Sequence, residues 1–272
     1  MKQLKHQIIK YSSDLRTNPD QLENIISELL YGEEFVEENK QDGWVFGKSS
    51  SDNYQGWLRE DTLGKLRKFT HIVIAPSTIL LENPQVKSKL VKYLSIGSRI
   101  NVVSIKNDWA KINLYNNDVL KYAYVSKFHI IKKNIYIKDW VKVAESLIGT
   151  PYRWGGRTRN GIDCSALLQI SISFSGIVLP RDSKDQYDFF KRSHCFEIKQ
   201  NIDFRNSLKR GDILYWQGHI AIVRSRNTIL HSCGYNNAVI VEKIDKIISR
   251  IKKKPTLISY LFKSKKDGKN NK

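Results

Sequence analysis

A glycine-rich run, Gly155-Gly156-Arg157-Thr158-Arg159-Asn160-Gly161-Ile162-Asp163-Cys164-Ser165, leads straight into an apolar segment that stops at Gly176. Ala166, Leu167, Ile170 and Phe174 recur there at helical spacing. The pattern therefore predicts a buried helix with Cys164 in its first turn. Unpaired backbone N–H groups and the helix dipole at such a terminus favour a thiolate. A lone cysteine is more often a small buried hydrophobe, so a nucleophilic role requires a base elsewhere in the chain.

A base is available in Gly211 to Val223, which reads as two short strands with His219 opening the second. The polar turn Ser225-Arg226-Asn227 then precedes Thr228-Ile229-Leu230-His231. His219 and His231 are equally far from Ser225, so a hairpin centred there makes them cross-strand neighbours on one face. An even-numbered loop would send them to opposite faces unless a bulge restored the parity. The expected constellation is a triad of Cys164 as nucleophile, His219 as general base and His231 orienting it. A zinc site from Cys164, His219, His231 and Cys233 is the weaker reading, because paired Cys-x-x-Cys spacing is missing. No cofactor and no metal are expected.

Tyr152-Arg153-Trp154-Gly155-Gly156, Gly161-Ile162-Asp163-Cys164-Ser165, Gly218-His219 and His231 together resemble the NlpC-type cysteine peptidases of bacterial cell walls. Leu179-Pro180-Arg181-Asp182-Ser183 with Gln186 resembles the subgroup called dipeptidyl-peptidase VI, or γ-D-glutamyl-L-diamino acid endopeptidases. The resemblance is specific over residues 139 to 262, with Ala166 standing where the family usually has Gly and Cys233 where Ser or Ala is common. It implies a papain-like α+β domain that hydrolyses the bond between γ-D-glutamate and a diamino acid. It also implies that Tyr152 helps stabilise the oxyanion, and that Asp163, Ser165 and Ser183 hold the substrate's amino terminus and glutamyl carboxylate. An N-cap aspartate, a first-turn serine and a loop serine are the plainer roles for those three. Arg157 and Arg181 are candidate partners for substrate carboxylates.

Upstream of about residue 135 the chain becomes a series of short β-like segments. Gly43-Trp44-Val45-Phe46-Gly47 and Tyr54-Gln55-Gly56-Trp57-Leu58 are followed by Gly97 to Val103, Asp108-Trp109-Ala110-Lys111-Ile112 and Tyr122-Ala123-Tyr124-Val125. This is a degenerate repeat of roughly sixty residues, and both copies resemble bacterial SH3-like barrels. Trp44, Trp57 and Trp109 are expected to pack in the barrel cores. Tyr54 matches a tyrosine of the first barrel that in the subgroup reaches into the peptidase cleft. With Asp163 it would close the cleft around a free L-alanyl ammonium group and exclude acylated stems. Residues 20 to 42 hold eight Asp or Glu against one Lys, and Glu33 is the candidate contact from this acidic wall.

The formal net charge of +19 raises a nucleic-acid reading, but residues 246 to 272 alone hold ten Lys or Arg and one Asp. Its terminal part, 263–272, reads as a solvated basic tail, and no nucleic-acid-binding motif accompanies the charge. The three cysteines show no paired spacing and imply no disulfide framework. The first twenty residues lack a continuous apolar core and no apolar run is long enough to span a bilayer. A cytoplasmic protein is expected, with secretion or a periplasmic location as the alternative.

The expected organisation is an N-terminal helix and first SH3-like barrel at 1–68, a second barrel at 69–135, a papain-like peptidase domain at 136–262 and a disordered basic tail at 263–272. The fold class is α+β with two small all-β domains in front. The expected function is cysteine endopeptidase action on peptidoglycan stem peptides, with free peptides beginning in L-Ala as substrates. An autolysin acting on intact wall, an acyltransferase using the same triad and a non-catalytic wall-binding protein are the alternatives. Peptidoglycan-derived peptides are the expected partners of a monomer.

Overall fold

The computed structural model describes residues 4–116, 119–199 and 208–260. The tail at 263–272 lies outside the described residues.

The chain opens as a strand ladder. Strands β1 (Leu4–Ile8), β2 (Ser12–Arg16), β3 (Ile25–Leu30), β4 (Glu34–Gln41), β5 (Trp44–Ser49), β6 (Gln55–Arg59) and β7 (Leu63–Lys65) form a sheet in the order β3-β2-β6-β5-β4-β1-β7. The expected N-terminal helix is absent from residues 4–68, which hold one 3-10 turn, Glu60–Thr62, and no α-helix. Burial alternates along β2, with Ser13 and Leu15 inside, and that two-residue period commits the segment to pairing with β3. Ile8, Leu15, Leu29, Phe35, Val45 and Leu58 close its core.

The next seven strands repeat this order position by position. They are β8 (His71–Val73), β9 (Ser77–Leu81), β10 (Leu90–Ser95), β11 (Arg99–Lys106), β12 (Trp109–Asn116), β13 (Val119–Ser126) and β14 (Ile130–Lys132), arranged β10-β9-β13-β12-β11-β8-β14. The weak sequence repeat is therefore a true structural duplication. Of the three repeat tryptophans, Trp44 is buried, whereas Trp57 and Trp109 are only half-buried.

The remainder places helices against a six-stranded antiparallel sheet. Its elements are α1 (Val141–Glu145), the small ribbon β15 (Arg157–Thr158) and β16 (Gly161–Ile162), α2 (Cys164–Ser173), α3 (Ser183–Arg192), β17 (Phe196–Lys199), β18 (Ile213–Trp216), β19 (His219–Ser225), β20 (Thr228–Cys233), β21 (Ala238–Lys243), α4 (Ile244–Ile251) and β22 (Thr256–Tyr260). The sheet runs β17-β22-β18-β19-β20-β21. Helix α2 packs on β19 and β20, and Gly176, at φ +89°, ends its apolar run.

The three parts share core. Leu30 of the first sheet and Ile96, just past β10 of the second, join the cluster that includes Leu167, Ile170 and Leu179, and Tyr31 sits in the core of the second sheet. Gly32 is required at one seam, because a Cβ there would lie 2.2 Å from the Arg99 carbonyl oxygen.

Buried charge fastens the same junction. Arg157 donates to both carboxylate oxygens of Glu33, at 2.8 and 3.1 Å, and to the Glu28 carbonyl. Burial raises the Glu33 pKa, but the Arg157 guanidinium, with Arg99 beyond it, outweighs this and holds the group below its ordinary value. A buried ion pair broken on one side leaves an uncompensated charge, typically costing about 3–5 kcal/mol. Glu33→Ala is therefore expected to lower the melting temperature by roughly 10 °C in scanning calorimetry. A midpoint within 2 °C of the parent would contradict this role.

Candidate active site

Cys164 is the first residue of α2, and Asp163 is its N-cap. The Asp163 carboxylate accepts the Ala166 N–H at 2.8 Å and the Gly155 N–H at 3.0 Å. One carboxylate thus pins both the helix start and the glycine loop before it. Arg181 grips it in bidentate fashion, at 3.0 and 2.5 Å, and also donates to Ser165 Oγ and Ser27 Oγ. Gln186 ties α3 to α2 through the Ser165 carbonyl at 3.0 Å. The loop itself is glycine-dependent: Gly155 has φ +75°, and a Cβ there would lie 2.8 Å from the Ile25 carbonyl of the first sheet.

The histidines arrive from the hairpin. His219 Nε2 and His231 Nδ1 share a 2.8 Å hydrogen bond. Their register differs from a simple hairpin centred on Ser225. Ile222 pairs with Leu230 and Val223 with Ile229, then Ser225 with Thr228 across the two-residue loop, leaving Arg224 as a bulge. The even loop alone would have split the histidines between faces. The bulge restores the parity and makes them diagonal rather than directly opposed neighbours. The thiol of Cys164 is approached by the backbone N–H groups of Ile220 and Ser165. Among the described residues no hydrogen bond joins Cys164 Sγ to His219.

Burial dominates the electrostatics. It pushes the Cys164 thiol up to about 11, helped by the Asp163 charge and opposed by the Ile220 N–H and Arg181. It pushes His219 down to about 3, with the His231 charge adding to the effect, and His231 down to about 4. The thiolate expected from the helix terminus is therefore not the resting form: desolvation exceeds the help from the nearby N–H groups. Thiol and imidazole rest neutral. Tyr152, raised to about 12 by burial and by the Cys164 and Asp163 charges, keeps its proton.

Cys164, Tyr152, Asp163, Ser165, Ser183 and Tyr54 all line one cleft of about 680 Å³. Tyr54 reaches in from the first sheet and donates a 3.0 Å hydrogen bond to Asp182. Asp182 also lines the cleft, and partial burial raises its pKa against the lowering effect of the Tyr54 hydroxyl. Three expectations are corrected. Glu33 and Arg157 do not line this cleft, because each satisfies the other in the junction between sheet and helix. Arg181, 2 % exposed, is committed to Asp163 rather than free for a substrate carboxylate. The carboxylate of Asp163 is saturated by its own fold, which leaves Asp182, held by Tyr54, and Asp188 as the other carboxylates of the cleft. Sequence reasoning passed over Asp182 because only the docking of the first sheet reveals its tyrosine partner.

Among the described residues, no group of three or more His, Cys, Asp or Glu is arranged to hold a metal ion, and no helix is long and apolar enough to cross a membrane. Residues 149–254 match the NlpC/P60 family, and residues 15–63 match the bacterial dipeptidyl-peptidase SH3 domain. The chain carries an NlpC/P60 domain. Dipeptidyl-peptidase 6 of Lysinibacillus sphaericus is 26% identical, over 88% of this chain and 91% of that protein. A γ-D-glutamyl-L-lysine dipeptidyl-peptidase of Bacillus cereus is also 26% identical, over 79% of this chain and 68% of its own. The crystal structure of an NlpC/P60 family protein from Bacillus cereus superposes with a TM-score of 0.79, covering 95% of this chain and all (100%) of that one, at 20% identity. That likeness establishes the shared fold: a papain-like NlpC/P60 domain behind an SH3-like all-β region.

A neutral resting thiol has a direct consequence for reactivity. Because its pKa is raised, the thiolate fraction grows only as pH climbs toward about 11. Alkylation of substrate-free Cys164 by iodoacetamide should therefore keep rising, roughly tenfold per pH unit, between pH 7 and 10. A rate that levels off near neutral pH, read by mass spectrometry of the labelled peptide, would contradict a neutral pair.

Proposed function

We propose that this chain is a cysteine endopeptidase that hydrolyses the γ-D-glutamyl-diamino acid bond of peptidoglycan stem peptides, acting on free peptides that begin with L-Ala. The observation that carries the reading is a helix-terminal cysteine whose thiol meets the Ile220 backbone N–H, next in sequence to a histidine hydrogen-bonded to a second, with a tyrosine of the all-β region lining the cysteine's cleft. The names of the relatives point to the same bond. In this proposal the chain comprises two SH3-like domains, bounded near residues 68 and 135, and an α+β papain-like catalytic domain.

The neutral pair sets the order of events. His219 takes the Cys164 proton as sulfur attacks the γ-carbonyl carbon, so charge appears only when bond formation offsets it. The oxyanion is met by backbone N–H groups at the start of α2 and by the protonated Tyr152 hydroxyl. The imidazolium of His219 then protonates the departing amine of the diamino acid, leaving a thioester on Cys164. Water, deprotonated by His219, hydrolyses that thioester and frees L-Ala-γ-D-Glu.

Specificity for a free amino terminus follows from Tyr54 and Asp182. An ammonium group at that end of the cleft meets the Asp182 carboxylate, and the Tyr54 hydroxyl holds that carboxylate in place. Ser183 lines the same cleft and would meet the glutamyl carboxylate, whereas the Ser165 hydroxyl is already committed to Asp163. An acylated stem brings neither the charge nor the room. Losing the Tyr54 hydroxyl leaves a charged group less well held, at a cost on the order of 1–3 kcal/mol. Tyr54→Phe should lower kcat/KM for L-Ala-γ-D-Glu-diamino acid by about ten- to a hundredfold. N-acetylation of the peptide should harm the parent enzyme more than the variant. Equal cleavage of free and acetylated peptides by the parent enzyme would overturn this specificity and favour action on intact wall.

A further inference from the structure

The polar chain that begins at His219 does not end at His231. His231 stands opposite Ile240 on β21, so Glu242, two residues on, shares its face of the sheet. Glu242 Oε2 lies 3.4 Å from His231 Nε2. That ring nitrogen is fully buried and, among the described residues, makes no well-aligned hydrogen bond, so the Glu242 carboxylate at ion-pair distance is the acceptor that faces it. From the other side Arg250, on α4, clamps both oxygens of Glu242 at 2.7 Å. Arg250 also rests over the Tyr235 ring, 4.8 Å from its centroid. Glu242 and Arg250 line an open hollow that does not include Cys164, so neither contacts the substrate cleft.

We infer that Glu242 is a positioning residue that dictates which nitrogen of each histidine carries the proton, with Arg250 holding it in place; the inference rests on the cysteine-peptidase reading of this site. A carboxylate only accepts hydrogen bonds, so the His231 nitrogen facing it, Nε2, bears the proton. A neutral imidazole has one N–H, which leaves His231 Nδ1 as an acceptor. His219 Nε2 is then the donor in the 2.8 Å bond between the rings. His219 Nδ1 is left with its lone pair, the one ring position that can take the thiol proton. Without the carboxylate the opposite arrangement costs nothing: His231 Nδ1 donates, His219 Nδ1 carries the proton, and the base is blocked.

The same carboxylate stabilises the imidazolium that forms during the reaction. Its charge raises the pKa of both histidines, while burial and Arg250 lower them. The groups facing Glu242 itself are Arg250, His231 and Lys246. Arg250 thus orients the carboxylate at some cost to the imidazolium, while Glu242 plays the orienting part that an aspartate behind a catalytic histidine plays in other triads.

The test is nitrogen-15 NMR of the histidine rings combined with steady-state kinetics on L-Ala-γ-D-Glu-diamino acid, for the parent, Glu242→Gln and Glu242→Leu. The parent should show Nε2–H tautomers for His219 and His231. Glu242→Gln retains a carbonyl acceptor, so the tautomers should persist and kcat should fall less than tenfold. Glu242→Leu should move the His219 proton to Nδ1 and lower kcat by roughly 10–100-fold, with KM changed less than threefold. Should that variant fail to fold, Glu242→Met, flexible enough for this partly exposed position, takes its place with the same expectation. Unchanged tautomers in the leucine or methionine variant, or a loss expressed in KM alone, would overturn the inference. A parent enzyme that leaves the peptide uncut would sink the peptidase reading, while the tautomers measured on the same samples still decide the role of Glu242.

Discussion

The ion pair between Asp163 and Arg181 is the interaction on which the site depends. Its carboxylate caps α2, fixes the glycine loop at Gly155 and accepts from Ser165. Its guanidinium carries the restraint to Ser27 of the first sheet. Cys164, the loop before it and the first sheet are thereby held by one buried contact. Isolated buried ion pairs seldom gain much stability over apolar substitutes. This one is fully hydrogen-bonded, and what it supplies is position: a cysteine at a fixed height over β19 and a cleft with a fixed end.

Burial is the second organising constraint, and it reverses a common expectation for catalytic cysteines. Burial of Cys164 and His219 makes charge separation between them expensive before substrate arrives. In the proposed reaction, proton transfer is coupled to bond formation instead of relying on a stored thiolate. The same burial strengthens the hydrogen bonds that orient the base. The row from His219 through His231 and Glu242 to Arg250 passes through the fully buried His231 and ends at the partly exposed Glu242 and Arg250. Its outer members are the ones that can afford charge.

Much of this was legible in the sequence, for reasons that can be located. The helix at Cys164 follows from apolar spacing and a stop glycine, and the pairing of His219 with His231 follows from strand periodicity. The exact register did not, because the bulge at Arg224 has no sequence signature distinct from an ordinary polar turn. The duplication of the seven-stranded sheet was visible through its glycines and tryptophans, although only Trp44 is fully buried among those. Glu33 and Arg157 were misassigned because an acidic stretch and a loop arginine look solvent-facing until two domains close over them. Asp182, Glu242 and Arg250 owe their positions to contacts across domains or strands, which no local pattern records. The supposed N-terminal helix failed because residues 12–16 follow a two-residue burial period that pairing with β3 enforces.

The central claim is that the thiol of Cys164 becomes acylated by the γ-glutamyl group. Rapid acid quenching of the enzyme during turnover of L-Ala-γ-D-Glu-diamino acid, followed by peptide mass spectrometry, tests this most directly. The account predicts an L-Ala-γ-D-Glu adduct on the peptide containing Cys164, with free diamino acid released in step. Diamino acid released without any adduct at Cys164, or an adduct on Cys195 or Cys233 instead, would contradict it.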